Sequence, residues 1–172
     1  MSSAVIKVME YEAPCGSLLL GALSGKLCLC DWRARSGREI IDRRLRTRLG
    51  AVMEYGPSDA TIHAAHMLDG YFDGTLRVLD VPLLLAGTDF QKEVWTRLSY
   101  IPYGAVVSYG ELARIIGRPE ATRAVANAVG ANALSLFIPC HRIIGSDGSL
   151  TGYAGGIDAK SRLLALEASS SK

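Results

Sequence analysis

The sequence predicts an α/β (α+β) protein in which a small N-terminal three-stranded sheet with helices precedes a mostly helical C-terminal domain with a helix-turn-helix motif. Three short apolar or alternating runs lie early in the chain, and helical periodicity with helix-start signals dominates the second half. A Leu-rich connector, interrupted by Pro82 and Gly87, separates the two patterns. We therefore predict two domains, residues 1–87 and residues 88–172.

Composition sets the broad class of the protein. The chain has 172 residues, of which 49% are apolar and 21% charged, so it can bury a core. Its 19 basic and 17 acidic residues give a net charge of +2, which excludes a histone-like polycation but not a local basic patch. No apolar run is long enough to span a bilayer. The N-terminus shows no basic region followed by an apolar core, so we expect no secretory signal. We expect no membrane partner, a cytoplasmic protein (or a nuclear one in a eukaryote), and reduced cysteines.

The elements of the first half follow from turn chemistry and periodicity. Strands are predicted over residues 4–8, 17–23 and 26–31, with Ser24-Gly25 as a two-residue hairpin turn. Residues 33–48 carry seven arginines against Glu39 and Asp42, which favours a helix with a solvated face, although such a face also attracts polyanions. A second helix is predicted over residues 59–72, before the Asp73-Gly74 turn signal.

The helices of the second half have clear start and stop signals. Thr88 and Gln91 fit a capping box, and the apolar residues that follow recur at helical spacing. Ser108 and Glu111 fit a second capping box, opening a helix that continues through Ile116 and ends at Gly117. Residues 119–131, PEATRAVANAVGA, are predicted as the next helix, with a proline suited to its first turn.

The alanine-rich helix over residues 119–131 has two interpretations. Two short helices around a glycine turn form a helix-turn-helix candidate, but small residues also pack closely at ordinary helix contacts. A helix that enters the minor groove of DNA, about 6 Å wide, must carry small side chains on its leading face. Arg123 is the only base on this small-residue surface.

Cys140 lies in an apolar run that ends Pro139-Cys140-His141-Arg142. A cysteine in such a run is most often a small buried hydrophobe. Here the proline bends the chain, and the polar pair His141-Arg142 interrupts the apolar stretch, where unpaired polar groups are costly. Because nearby His or Arg stabilises a thiolate, the motif indicates a reactive thiol.

The sequence does not decide how the side chains of Cys140 and His141 are arranged relative to each other. Adjacent residues on a flat strand face opposite sides, so either the chain turns at Cys140 or a water links the thiol to the imidazole of His141. An activating His also needs a carboxylate to orient it. Glu167, Glu111 and Asp147 are the candidates, and spacing alone does not choose among them.

A glycine-rich segment follows the cysteine, with four glycines within residues 148–156. Their backbone amides can approach a ligand closely, but the glycines alone favour a hairpin with a flexible connection. The segment matches neither a Walker loop nor a dinucleotide-binding fingerprint.

Taken in order, these motifs resemble the O6-alkylguanine-DNA alkyltransferases (methylated-DNA–protein-cysteine methyltransferases) over about residues 88–168. The motif with Cys140 is the most specific part, and residues 1–87 fit only loosely as the family's small N-terminal domain. The positions that carry the resemblance are Thr88, Phe90-Gln91, Val94-Trp95, Ile101-Pro102-Tyr103-Gly104, Ser108-Tyr109, Leu112-Ala113, Arg123-Ala124-Val125, Asn132, Ile138 to Arg142, Gly152-Tyr153, Gly155-Gly156, Lys160, Leu163-Leu164 and Glu167.

The resemblance implies roles for the catalytic residues. Cys140 is the expected alkyl acceptor, and His141 the base that takes its proton through a water. Glu167 is expected to orient His141, and Asn132 to order the turn beside the nucleophile. Tyr109 is expected to face the flipped guanine and to supply a proton or a hydrogen bond as the base leaves.

The resemblance also implies the binding surfaces. A winged helix-turn-helix-like motif is expected to bind double-stranded DNA containing O6-alkylguanine through the minor groove, with activity also on O4-alkylthymine. Arg123 is expected to fill the gap left by the flipped base. The further expected DNA contacts are Tyr109, Ala124, Ala126, Asn127 and Arg142. The expected base pocket comprises Pro139, Ile143, Tyr153, Ala154 and Gly155.

The implied reaction is an irreversible, single-turnover transfer without a cofactor, by a monomer that binds DNA singly or side by side with other copies. Ala133 and Ala154 depart from the residues common in the family, Pro and Ser respectively. Some relatives bind a structural zinc, but Cys28-x-Cys30 has poor zinc spacing, so we expect no metal.

Three other functions compete with this one. A non-catalytic binder of alkylated DNA would lack the acceptor Cys140, and a helix-turn-helix regulator would not need the cysteine motif or the glycine-rich segment. A Cys-His hydrolase would need a distant histidine, and His63 and His66 lie in no recognisable setting.

Overall fold

A computed structural model describes residues 2–170 of the chain. The chain forms two compact units, the first ending at Gly87 and the second beginning at Thr88. The first unit combines a sheet with two helices, and the second is mostly helical. The predicted fold class is therefore confirmed.

The first unit contains a four-stranded sheet rather than a three-stranded one. Its elements are β1 (Ala4–Ala13), β2 (Gly16–Leu23), β3 (Lys26–Trp32), α1 (Arg38–Leu49), β4 (Ala51–Tyr55) and α2 (Asp59–Asp73). The strand order is β3-β2-β1-β4, with antiparallel pairs except for β4, which runs parallel to β1. The prediction missed β4 because only Ala51 is buried in this short edge strand, so its sequence shows no clear alternation.

The turn between β2 and β3 is the predicted two-residue hairpin. Ser24 and Gly25 both have positive φ, 52° and 80°, as the favoured hairpin turn requires. The strands bury a core that includes Ile6, Leu18 and Leu20, each with no exposed surface. Gly25 thus allows the register that brings these side chains to one core.

The arginine-rich segment is helical only from Arg38 onward. Asp31, at the end of β3, is fully buried and forms ion pairs of 3.1 Å with both Arg35 and Arg38. Arg33 pairs with Glu10 at 3.1 Å. Several of the arginines therefore fix the start of α1 against the sheet, which the sequence pattern did not reveal.

The second unit is organised by its helix caps. Its elements are α3 (Asp89–Leu98), β5 (Val107–Ser108), α4 (Tyr109–Ile116), α5 (Thr122–Gly130), a single 3₁₀ turn (Cys140–Arg142), β6 (Ile143–Ile144) and α6 (Ile157–Ser170). Both predicted capping boxes are present, Thr88 with Gln91 and Ser108 with Glu111. Strands β5 and β6 form a parallel pair.

Helices α3, α4 and α5 pack against one another around a buried core. Trp95 of α3 donates an indole hydrogen bond of 2.8 Å to the Ala128 carbonyl of α5. Gly117 ends α4 with φ of 84°, a conformation that favours glycine. Helix α5 begins at Thr122 rather than at Pro119, because residues 118–121 form a turn in which the Ala121 amide donates to the Arg118 carbonyl.

Across residues 2–170, no helix combines the length and the apolar character that a membrane crossing needs.

Candidate active site

Cys140 is the first residue of the 3₁₀ turn between α5 and β6. The chain therefore turns at the cysteine, which is one of the two arrangements that the sequence left open. Only 6% of Cys140 is exposed, yet it lines a cavity. The thiol is thus shielded from bulk solvent but reachable from one side.

The loop before Cys140 is held in shape by Asn132. Its side-chain Nδ2 donates to the Ile138 carbonyl at 2.9 Å, and its Oδ1 accepts from the Leu134 amide at 2.9 Å. Leu136, between these two points, has φ of 75° although it is not a glycine, a conformation that costs about 1–2 kcal/mol. A buried amide thus stabilises a strained loop that delivers Cys140.

His141 and Glu167 form the buried pair next to Cys140. Their Nε2 and Oε1 atoms are 2.8 Å apart, and both side chains are at most 1% exposed. Of the three candidate carboxylates, Glu167 is therefore the one that contacts His141. Glu111 instead accepts from the Ser108 amide in its capping box, and Asp147 accepts from the Ser149 amide.

The electrostatics of this pair determine where its proton lies. Burial raises the pKa of Glu167, but hydrogen bonds from His141 and Arg142 outweigh it and bring the pKa to about 2, so the group is a carboxylate. Burial lowers the pKa of His141 from its ordinary value, against the opposing effect of Glu167. A carboxylate only accepts hydrogen bonds, so Nε2 of the neutral imidazole donates and Nδ1 keeps its lone pair. Within the described residues, the buried Nδ1 has no hydrogen-bond partner.

Arg142, which is predicted to contact DNA, is directed into the interior of the second unit, and the DNA contact stays a prediction. Its residue is 7% exposed, and its guanidinium donates to Glu167 and to the Ile101 carbonyl. The reason is that a buried carboxylate requires a counter-charge, and Arg142 is within reach of Glu167 in the 3₁₀ turn.

The cavity beside Cys140 has a volume of about 270 Å³. Six of the predicted site residues line it: Tyr109, Ala126, Asn132, Cys140, Tyr153 and Ala154. Val129, Gly130 and Gly152 also line it and were not predicted. The volume falls just below the range of roughly 300–1,000 Å³ typical of small-ligand pockets.

Three predicted pocket residues lie outside the cavity lining. Ile143 is fully buried and pairs with Val107 between the two short strands, while Pro139 is buried as the residue before the 3₁₀ turn. Gly155 follows Ala154 but does not line the cavity. The motif around Cys140 thus contains residues that support the local fold, such as Pro139 and Ile143, as well as residues that line the cavity.

Lys160 is a buried residue near the site. It is one of the positions that carry the resemblance, but no role was predicted for it. It has no exposed surface, and its Nζ donates to the Thr151 carbonyl at 2.8 Å. Burial lowers its pKa, and the charge of Cys140 opposes this effect. Lys160 therefore anchors the glycine-rich segment to α6, close to the thiol.

The predicted DNA-contact residues on α5 form an exposed surface. Arg123, Ala124 and Asn127 are exposed, and Ala126 is half-buried where it meets the cavity. Helix α5 therefore presents small residues and one cation to solvent on one side and lines the cavity on the other.

Candidate metal ligands are not grouped in residues 2–170. No set of three or more His, Cys, Asp or Glu side chains there is arranged to hold a metal ion. His63 and His66 are both exposed on α2, and the cysteines of this part of the chain form no disulfide bond.

Comparison with known proteins gives a consistent result. The family model described as 6-O-methylguanine DNA methyltransferase, DNA binding domain, matches residues 89–169. A methylated-DNA–protein-cysteine methyltransferase of Mycobacterium leprae is 38% identical over 95% of this chain and 93% of its own length. One from Methanosarcina acetivorans is 51% identical over 62% of this chain and 68% of its own length. The crystal structure of Mycobacterium tuberculosis OGT in complex with DNA is 39% identical, with a TM-score of 0.80 over 96% of this chain and 94% of that chain.

Proposed function

This chain belongs to the methylated-DNA–protein-cysteine methyltransferase family, and we propose that it repairs DNA by moving an alkyl group from O6-alkylguanine to its own Cys140. The reaction is direct repair, because the base is restored without excision. The acceptor is part of the protein, so each molecule acts once.

One observation carries this proposal: Cys140 lines a cavity of about 270 Å³ and is followed directly by the buried His141–Glu167 pair. A structural cysteine needs neither a cavity nor a buried imidazole–carboxylate pair beside it. An alkyl acceptor needs both, because the thiol must lose its proton and must meet an extruded base.

The proton of the thiol passes to His141. Nδ1 is the free basic nitrogen of the imidazole, and a water between Sγ and Nδ1 relays the proton, as the resemblance implies. The thiolate then attacks the sp³ carbon of the alkyl group, forming a C–S bond as the carbon–oxygen bond to guanine breaks. The product is a thioether, and nothing in this mechanism cleaves it.

Tyr109 assists the leaving guanine. Its side chain lines the same cavity as Cys140, at the first residue of α4. As the oxygen–carbon bond breaks, negative charge develops on the base, and a phenol proton or hydrogen bond there stabilises it. Tyr153 and Ala154 line the same cavity, and backbone groups of this loop hold the edge of the base.

Recognition of the lesion uses α5 in the minor groove of duplex DNA. Small side chains such as Ala124 allow close approach, Asn127 lies beside them, and Arg123 occupies the gap left by the flipped nucleotide. Extrusion of the base costs roughly a few kcal/mol, and the insertion of Arg123 offsets part of this cost. The proposed partner is thus double-stranded DNA bound by a monomer, singly or side by side, with O4-alkylthymine as a further substrate. A reducing cytoplasm suits an acceptor thiol that must stay reduced.

A stoichiometric transfer assay tests this proposal. Protein is titrated into excess duplex carrying one O6-methylguanine per molecule, and the remaining lesion is quantified by mass spectrometry of the nucleosides. We expect one lesion lost per protein molecule, with no loss for Cys140→Ser, and full transfer by the control variant Cys15→Ser.

Several outcomes of this assay would contradict the proposal. Repeated turnover by one molecule would exclude a permanent thioether on the protein. Binding of the lesion without its loss would indicate a non-catalytic binder, and loss by Cys140→Ser would require another acceptor.

A further inference from the structure

The proposed transfer gives no task to Arg142, although it is among the most strongly bound side chains of the second unit. Its Nε donates to Oε2 of Glu167 at 2.9 Å and its Nη2 donates to Oε1 at 2.8 Å. Its Nη1 donates to the Ile101 carbonyl at 2.6 Å, and its guanidinium carbon lies 5.7 Å from the centre of the Tyr103 ring. Such a two-pronged contact is the arrangement in which arginine holds a carboxylate most rigidly.

Each oxygen of the Glu167 carboxylate has at least two donors. Oε1 accepts from Arg142 Nη2 at 2.8 Å and more weakly from Arg142 Nε at 3.2 Å, and it lies 2.8 Å from His141 Nε2. Oε2 accepts from Arg142 Nε and from the Gly104 amide at 3.2 Å. Rotation of the carboxylate would break bonds on both sides, so the oxygen facing His141 is fixed in position.

The orientation of Glu167 decides the chemistry of His141. An ionised carboxylate accepts, so it selects the imidazole tautomer with the proton on Nε2 and the lone pair on Nδ1. The charges acting on His141 are the carboxylate of Glu167 and the cations of Arg142 and Lys160. Without Arg142, the carboxylate would lack its nearest counter-charge and would hold His141 as an imidazolium, which cannot accept a proton.

We propose that Arg142 is a positioning residue: by holding both oxygens of Glu167 and neutralising its charge, it keeps His141 neutral, with its proton on Nε2 and its basic Nδ1 free. The importance of this arrangement for transfer rests on the proposed function. The protonation state itself is a property of the free protein and is measured without DNA.

Nitrogen NMR of the imidazole rings tests the proposal directly. The chain has only three histidines, so ¹⁵N-histidine labelling gives signals from three imidazole rings. The signals that disappear in His141→Gln are those of His141. We expect His141 in the wild type to be neutral at pH 7 with the proton on Nε2. In Arg142→Met, we expect His141 to be charged at pH 7 or to show a mixture of tautomers. Arg142→Lys retains the charge without the two-pronged contact, so it should keep His141 neutral with a less defined tautomer.

The pH dependence of single-turnover transfer adds a readout that a purely structural role would not move. General-base catalysis contributes roughly 10²–10⁴-fold, so we expect Arg142→Met to lose at least about tenfold in rate at pH 7. We also expect the acid limb of its rate profile to move to higher pH, and Arg142→Lys to return the limb toward the wild-type position. Arg118→Met, at an exposed ion pair with Glu93, is the control and should change neither.

The outcomes separate this inference from the proposed function. A wild-type His141 with its proton on Nδ1, or a folded Arg142→Met with wild-type tautomer and rate profile, would overturn the positioning role. If Arg142→Met does not fold, the wild-type tautomer and the Arg142→Lys titration decide the question. A wild type with the expected tautomer that transfers no methyl group would contradict the proposed function alone.

Discussion

At the scale of single residues, the site depends on buried polar side chains, several of which have partners far along the chain. The sequence motif identifies Cys140 and its neighbour His141. It does not show that Arg142 turns inward, because the three residues alternate on a strand but wind together in a 3₁₀ turn. The choice of Glu167 over Glu111 and Asp147 likewise depends on tertiary packing, since spacing alone gave no order among them.

Asn132 provides a prediction at this scale. Asn132→Ala removes two hydrogen bonds of 2.9 Å in a buried loop, which takes away the partner of the Leu134 amide and leaves the Ile138 carbonyl with the Cys140 amide as donor. We expect the free energy of unfolding to fall by about 2–4 kcal/mol, measured by urea denaturation. Transfer by the folded fraction should also slow, because the loop that presents Cys140 loses its support.

The matched control is Asn127→Ala, which truncates an exposed amide on α5. Its free energy of unfolding should stay within about 0.5 kcal/mol of the wild type. Equal losses in the two variants would mean that the loop does not depend on the side chain of Asn132.

At the scale of helices and strands, the sequence predicted what local chemistry determines. The capping boxes at Thr88 and Ser108, the hairpin turn at Ser24-Gly25 and the glycine stop at Gly117 are all present. The elements it missed or displaced depend on distant contacts. Strand β4 exists because it pairs with β1, and α1 starts where Arg38 reaches the buried Asp31.

Helix α5 carries a prediction about shape. Ala124→Leu should leave the helix intact, because leucine and alanine have similar helix propensities and position 124 is exposed. A bulky side chain there should keep the helix out of a groove about 6 Å wide, so we expect duplex affinity to fall by about tenfold or more. Fluorescence anisotropy with a labelled duplex measures the effect.

Ala165→Leu is the control, since Ala165 is an exposed alanine on α6. It should bind DNA like the wild type. If Ala124→Leu also binds normally, α5 does not enter the minor groove, and the helix-turn-helix interpretation must be replaced by that of an ordinary packed helix pair.

At the scale of the whole molecule, the buried ionisable groups make stability depend on pH. Burial lowers the pKa of His141 from 6.5, so below pH 6.5 the folded protein binds fewer protons than the unfolded chain. The stabilisation is complete above that pH and is lost as the pH falls toward the lower folded value, by at most about 1.4 kcal/mol per pH unit. Glu167, with a pKa of about 2 instead of 4.5, adds a second loss between these two values.

Urea denaturation at several pH values between 7.5 and 5 measures the first loss. This interval is chosen because it spans the ordinary histidine pKa of about 6.5. We expect His141→Gln to flatten this part of the curve, while His66→Gln, an exposed position on α2, leaves it as in the wild type. A wild-type curve without a decline in this range would show that His141 is not buried in its neutral form.

The residue that receives the alkyl group decides whether Cys140 is the acceptor, and a mass measurement identifies that residue directly. After reaction with duplex carrying O6-(trideuteromethyl)guanine, trypsin releases a peptide of residues 124–142 whose only cysteine is Cys140. We predict that this peptide carries one trideuteromethyl group, at Cys140, and that the peptides with Cys15, Cys28 and Cys30 carry none. Recovery of the label on another residue, or its retention on the DNA after complete binding, would contradict the account.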